Sequence, residues 1–553
     1  MPAAALLPLF VAILAAPVTP ANAARAADPA VARALAAIQP AAIRAHVTFL
    51  ADDKLEGRGT GTPGYQRAAD YVAARFRAIG LAKGVRDTSY FQKVPLRRGQ
   101  IVERECMLTL AGNDGRDRKF EYGRDYVMSP DYRQDELMAA NHAVFAGYGV
   151  SAPELGWDDY KGVDVRGRIV VLLSGAPKQF PHDQRAYYSW NQGKERNAAA
   201  HGARGIITIR RPQDEVRATW ERVLRQSRLP GMRWLGSDAE PHDTYEGLHL
   251  GATLTRTAAE TLFAAAGWKL DSLFALADAG TVPHFVLPFQ VHARRVTVLT
   301  GASSPNVVGV LRGSDPTLRD EYVVYSAHLD HLGISTPVNG DSINNGAYDN
   351  ASGVAMLIEM ARAFATMKPR PKRSILFLAV TGEEKGLQGS DYFAHFPTVP
   401  IHRIVADVNL DMFLMLHPAR QVVAFGEEHS SLGPVAGRAA KSLGMSLAPD
   451  PNPDEVIFVR SDQFSFIRAG VPALFPTATQ GDSPADSLAT EHWMHTIYHS
   501  PQDDLHQTFD WEAGARCARL ALLIGREVAN TPERPTWNAG DFFGTTFGPI
   551  AGK

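Results

Sequence analysis

Two cysteines, Cys106 and Cys517, are all that 553 residues carry. They allow one disulfide or two buried thiols, and neither has the His or Asn/Asp company of a catalytic cysteine. Charge of one sign is also missing. Charged residues make up 21% of the chain and the formal net charge is −2, so nothing in the balance points to nucleic acid or an anionic membrane as a partner. No G-x-S-x-G, P-loop or GxGxxG stands in a strand-to-helix context, which removes support for serine-hydrolase and nucleotide-binding chemistry. There is no internal repeat. The one long apolar run, Ala3 to Val18, is interrupted by Pro8 and Pro17 and followed by Ala21-Asn22-Ala23. That A-x-A ending suits signal peptidase better than a membrane anchor, so residues 1–23 read as an export signal and the mature chain as periplasmic or extracellular, without stable membrane insertion.

What is present exceeds one hydrophobic core. Gly57 to Gly64 reads as a loop, and Tyr65, Ala69, Val72, Phe76 and Ile79 recur at helical spacing after it. The middle third is cut into short β-rich runs, Ala143 to Val150, Ile169 to Leu173 and Gly205 to Ile209, and reads as a smaller separate unit. After about Ala293 near-continuous apolar runs alternate with helical patterns: Val307 to Leu311, Tyr322 to Ala327, Ile375 to Val380, Ile404 to Leu410 and Ala473 to Phe475. The expected class is α/β, a mostly parallel or mixed central sheet with helices on both faces plus an inserted β-rich domain. The expected boundaries are 24–135 for the first part of the main domain, 136–290 for the insert, 291–530 for the rest of the main domain and 531–553 for a tail.

His328, Asp349, Glu384, Asp411 and His499 each stand at the end of an apolar run or in a Gly/Pro/Ser-rich turn, and Glu383 precedes Glu384. Singly, each has an ordinary reading: a Glu-Glu pair starts a solvated helix, and a lone His is a satisfied surface or core group. Together they follow the rule that α/β sheets bind ligands at the carboxyl ends of their strands. A carboxylate there must be paired, hydrogen-bonded or metal-bound, because desolvating it alone costs several kcal/mol. Two His, three carboxylates and a spare Glu are about the inventory of a two-metal hydrolase with one bridging Asp. Asp330 is placed to hold the nitrogen of His328 that faces away from a metal. A rival arrangement, His492, His495 and His499 on one helix, is weakened by Ser500-Pro501 directly after it.

Ser326-Ala-His-Leu-Asp-His331, Gly346-Ala-Tyr-Asp-Asn-Ala-Ser-Gly353, Thr381-Gly-Glu-Glu384, Asn409-Leu-Asp411 and Tyr498-His-Ser-Pro501 resemble the successive motifs of the clan MH di-zinc exopeptidases. That group holds secreted bacterial aminopeptidases, glutamate carboxypeptidase and its relatives, glutaminyl cyclases and the non-catalytic transferrin receptor. Val144-Phe-Ala-Gly-Tyr-Gly149, Trp157-Asp-Asp-Tyr160 and Gly202-Ala-Arg-Gly205 resemble an inserted protease-associated (PA) domain, and Leu55-Glu-Gly-Arg58 the start of the peptidase domain.

The resemblance implies two zinc ions, one on His328 and Asp411, the other on Glu384 and His499, with Asp349 between them and Glu383 as general base. It implies a cis peptide after Asp349, and although Asn350-Ala-Ser matches a glycosylation sequon, a glycan beside the bridging ligand would obstruct the site. Arg460-Ser-Asp462 resembles a segment near the substrate pocket, with Gln463 where many relatives carry His, so Arg460, Asp462 and Gln463 are candidate pocket residues. The function implied is a secreted zinc aminopeptidase acting on peptides, with a carboxypeptidase or dipeptidase on the same centre as the second reading. A glutaminyl cyclase or a receptor-like binding module is disfavoured.

Overall fold

The computed structural model describes residues 28–548 except 113, 114, 480 and 482. The segment read as an export signal, residues 1–23, lies outside the described residues.

Three parallel strands form the centre of the main sheet. Tyr322–His328 lies between Ser374–Val380 and Ile404–Asn409, and the last is continued by Ala473–Ala478, also parallel. Every residue of the three central strands is buried, as near-continuous Val, Ile, Leu and Ala runs require of a sheet covered on both faces. Helices Pro63–Ile79, Gly353–Thr366 and Trp511–Asn530 contribute to one core, while Gln388–His395 and Gln463–Arg468 contribute to a second on the opposite face. Antiparallel strands close the flanks: Gln421–Phe425 beyond Ala473–Ala478, and the carboxyl half of His284–Leu311 beside Ser374–Val380. Five runs read as strands from the sequence after residue 293 are therefore all strands, in a mixed sheet with a parallel middle.

His284–Leu311 runs through 28 residues and belongs to two sheets. Its first half pairs with Glu136–Ala146 and Met107–Gly112, its second half with Phe91–Ile101. Glu136–Ala146 is followed in parallel by Ile169–Leu173, Gly205–Ile209 and Leu250–Leu254, and these strands share a core drawn from Ile101 to Ala293. The inserted unit thus begins near Ile101, ahead of the expected boundary at 136, because Met107–Gly112 and Asp117–Phe120 pair inside its sheet. The tail expected from 531 is also packed: helix Phe542–Phe547 buries Phe543 against Phe458.

Cys106 and Cys517 are both free, Cys517 buried in the helix Trp511–Asn530 and Cys106 half-buried in the inserted unit.

Candidate metal centre

The three central strands end side by side and deliver acid and imidazole to one edge. His328 is the last residue of its strand, Glu383 and Glu384 follow Ser374–Val380 after Thr381-Gly382, and Asp411 lies just beyond Ile404–Asn409. His328 Nε2 stands 3.1 Å from Asp411 Oδ1 and 3.2 Å from Asp349 Oδ1. His499 Nε2 stands 3.1 Å from Asp349 Oδ2 and 3.3 Å from Glu384 Oε2. Asp349 therefore turns one oxygen to each imidazole, and each imidazole faces a second carboxylate. The five sequence candidates converge.

Asp349 is held there by its own loop. Gly346, at φ 60°, turns the chain where a Cβ would collide with the Asp349 carbonyl oxygen and the His331 ring. The two oxygens of buried Asp503 accept the backbone N–H groups of Tyr348 and Asp349, both at 2.9 Å. The Asp349-Asn350 peptide is cis. Asn350 is fully buried and its amide bonds Leu410 O, Gly353 N and Met412 N, which leaves no place for a glycan. Arg58, buried in the Leu55-Glu-Gly-Arg58 segment, donates to the carbonyls of Leu329, Asn345 and Gly346 and so ties two ligand loops to the amino-terminal segment.

His499 is positioned from the inserted unit. Its φ is 56°, a rare left-handed conformation for a side chain with a Cβ, and helix Trp220–Ser227 grips its turn. Arg222 donates to His495 O at 2.5 Å, Arg225 donates to His499 O at 3.1 Å, and the Gln226 amide lies 2.8 Å from His499 Nδ1. The atom placed there is Gln226 Nε2; with the amide turned about Cγ–Cδ so that its oxygen meets the ring, Gln226 would accept Nδ1–H and leave the His499 Nε2 lone pair facing Asp349 and Glu384.

The electrostatics show what the cluster lacks. Burial disfavours a charged His328, but Asp411, Glu383 and the hydrogen bond it donates to Asp349 overcome this and raise its pKa well above the ordinary value. His499 is raised to about 9, Glu384 and Asp349 outweighing burial. Asp349 is held well below the carboxylate range because His331, His328 and His499 together outweigh burial. Glu383 is pushed far up, by burial first and then by Glu384 and Asp411. Two imidazoles retaining protons among crowded carboxylates are a set of donors short of positive charge. Divalent cations supply that charge by displacing the protons, so the residues present fit a pair of metal ions.

Several expectations are modified. The contact that holds His328 Nδ1 comes from the main-chain carbonyl of Asp330, at 3.1 Å. The Asp330 carboxylate instead accepts from Thr60 Oγ1 at 2.8 Å and from the Glu383 backbone N at 3.2 Å. Of the candidate pocket residues, Arg460 lines a cavity, but Asp462 and Gln463 are fully buried and line none of those described. Gln463 accepts from Asn409 at 3.0 Å and donates to Phe458 O at 2.7 Å, a structural role. Ser461 of the same segment donates to Asp411 Oδ2 at 2.5 Å. His492 and His495 are not drawn into the cluster; among the described residues only His499 of the three faces the carboxylates.

Sequence reasoning gave no role to His331, Asp503 or Gln226. His331 Nδ1 lies 2.6 Å from Glu384 Oε1 and 3.6 Å from Asp349 Oδ2, so it stands beside the same carboxylates as His499 and is a second imidazole able to serve there. Its place inside the Ser326 to His331 motif was the available signal. Asp503 and Gln226 offered none.

Two cavities flank the cluster. One, of about 510 Å³, is lined by Met412, Leu414, Phe425, Phe475, Met494 and Tyr498. The other, of about 460 Å³, is lined by Glu384, His499, Tyr498, Lys385 and Arg460 from the main domain and by Arg217, Arg222 and Gln226 from the inserted unit.

Residues 306–524, which contain all five candidate ligands and Glu383, match the model of peptidase family M28. These residues are an M28 peptidase domain. The chain is 28% identical over 249 residues to a probable zinc metalloprotease of Pyrenophora teres f. teres, covering 42% of this chain and 50% of that protein. Over 116 residues it is 36% identical to the mouse aminopeptidase NAALADL1, covering 20% of this chain and 14% of that one. The chain thus spans about half the length, or less, of these curated relatives. The fold extends further than the sequence match. An aminopeptidase from Aneurinibacillus superposes with a TM-score of 0.55 at 17% identity, covering 91% of this chain and 97% of that one. That likeness spans both residues 306–524 and the β-rich unit that precedes them.

Proposed function

We propose that this chain is an exported zinc exopeptidase with two metal positions, one formed by His328 and Asp411, the other by Glu384 and His499, with Asp349 shared. The observation that carries the reading is the division of Asp349: its two oxygens stand 3.2 and 3.1 Å from His328 and His499. His499 is preferred to His331 because its Nε2 is nearly equidistant from both carboxylates, matching His328 on the other side, whereas His331 makes one short contact that steadies the second oxygen of Glu384. Zinc is suggested by the His and carboxylate donors and by the name of the Pyrenophora relative.

When bound, the ions would polarise the scissile carbonyl and lower the pKa of an attacking water. Glu383 takes and returns the proton. Its carboxylate makes no hydrogen bond or ion pair among the described residues, while Asp330 fixes its backbone. Burial makes it a far stronger base than an ordinary carboxylate. Attack from the amino terminus is the favoured direction. The apolar cavity beside Met412 and Tyr498 accepts a hydrophobic first side chain, and the cluster's carboxylates receive the free amine. The β-rich unit from Ile101 to Ala293 is read as a PA-like domain that forms one wall of the site.

The test is hydrolysis of matched peptides with free and with acetylated amino termini by the metal-loaded protein, with Glu383→Gln as control. Cleavage of the free peptides alone, abolished in E383Q, is expected. Rapid cleavage of the acetylated series sinks the aminopeptidase direction, and unchanged activity in E383Q sinks the mechanism.

A further inference from the structure

Not every cationic side chain around the cavity on the insert side of the cluster has an acidic partner. Arg222 is buried, at 7% exposure, yet its guanidinium bonds only carbonyl oxygens, those of His495 and Arg217. Lys385, directly after Glu384, lines the same cavity half-buried, and its ammonium has no hydrogen bond or ion pair among the described residues. Arg217 and Arg460 share one carboxylate, Glu455, at 2.9 and 3.4 Å, and Arg217 has a second, Asp214, at 3.6 Å. Four cations line this cavity, and the one carboxylate lining it is Glu384, which the proposed centre commits to a metal ion. A partly desolvated cation without a counter-charge is costly, and a ligand carboxylate relieves that cost.

The opposite cavity is different in kind. Its lining is mostly apolar and includes Asp450, Asp454, Glu455 and Glu491, with Arg217 and His495 as the basic members. The metal cluster lies between the two, with Tyr498 common to both.

We infer that the cavity lined by Lys385, Arg222 and Arg460 binds a carboxylate of the substrate on the carboxyl-terminal side of the scissile bond, making short peptides with a free carboxylate there the preferred class. The inference rests on the peptidase reading above. It adds an anion-binding site built jointly by the M28 domain and the insert. Polarity orients the substrate: the hydrophobic amino-terminal residue occupies the mostly apolar cavity, and the acidic group occupies the basic one. The group recognised is a carboxylate, supplied either by the chain terminus or by an acidic side chain.

The experiment measures kcat/KM of the zinc-loaded full chain on leucyl-alanine, leucyl-alaninamide and leucyl-glutamic acid α-amide, all with the same free amino terminus. Leucyl-alanine is expected to exceed its amide by about tenfold or more. Recovery of the preference with the glutamic amide assigns the carboxylate to a side chain, and no recovery assigns it to the terminus. Lys385→Met should collapse the acid-to-amide ratio toward one, and Lys385→Arg should preserve it. Equal kcat/KM for all three substrates in the unaltered protein overturns the carboxylate site while leaving the peptidase reading intact. Cleavage of none of them overturns the peptidase reading and the site with it. A ratio that survives K385M overturns the role given to Lys385.

Discussion

Gln226 of the inserted unit meets His499 of the M28 domain, amide to Nδ1, at 2.8 Å. The two residues are far apart in sequence, and with the amide oxygen turned to the ring their contact would leave Nε2 of His499 free to bind a metal. An amide oxygen accepting Nδ1–H raises the basicity of Nε2 and fixes the ring, the usual support of a metal-bound imidazole.

Gln226→Leu removes that support without adding charge. It should weaken metal binding by about 10–100-fold at one of the two positions, read by titrating the apo-protein with zinc against a chelator of known affinity. Gln226→Glu, which can only accept from Nδ1–H, should bind at least as tightly as the unaltered protein. An unchanged affinity in Q226L would reduce the contact to packing.

Asp503 holds the backbone of Tyr348 and Asp349 with one oxygen each. Asp503→Ala leaves two buried N–H groups without acceptors, about 1–3 kcal/mol each. The apo-protein should lose stability in denaturant titrations, and Asp503→Asn should lose less because one amide oxygen remains. Equal stability of all three proteins would remove Asp503 from the account.

A second imidazole away from the metal cluster predicts a pH effect. His429 donates from Nε2 to Asp183 at 2.7 Å and from Nδ1 to Asp541 at 2.6 Å, joining the inserted unit, the M28 domain and the carboxyl-terminal segment. Burial opposes its charge, but the hydrogen bonds to Asp183 and Asp541 raise its pKa to about 9. A raised folded-state pKa stabilises fully below the unfolded value near 6.5 and is lost as pH rises through 9. Glu428, raised to about 7 by burial and then by Asp183, changes stability in the same direction. The contribution of His429, up to about 3 kcal/mol, should therefore be lost between pH 6.5 and 9. His429→Asn should melt below the unaltered protein at pH 6.5, and the gap between the two should narrow as pH rises to 9. A gap that stays constant or widens over this range would contradict the assignment.

Much of the site was legible because its chemistry sits at strand ends. His328, Glu384 and Asp411 follow runs too apolar to be anything but buried strands, and a parallel sheet brings such ends to one edge whatever the rest of the chain does. Asp349 and His499 were legible only through their motifs, since a loop carries no periodicity. What escaped depended on tertiary placement. Gln226 lies in an amphipathic helix whose polar residues look solvated until the insert docks on His499. The start of the insert at Ile101 was hidden because Met107–Gly112 takes its place by pairing with the distant Phe289 to Arg294 segment. Gln463 resembled a pocket residue by position in its motif, yet a buried amide saturated by Asn409 and Phe458 O faces inward.

Glu383→Gln should leave zinc binding within a factor of a few and lower kcat by about 10²–10⁴-fold, because the residue lies outside the proposed ligand set. Loss of metal in E383Q would make Glu383 a ligand and require a different base.

The shared position of Asp349 is the centre of the account, and metal stoichiometry tests it most directly. Zinc counted by mass spectrometry on the purified, dialysed protein should give two ions per chain, and Asp349→Ala should lose both together. One ion per chain in the unaltered protein, or an ion retained at full occupancy in D349A, would contradict a centre bridged by that carboxylate.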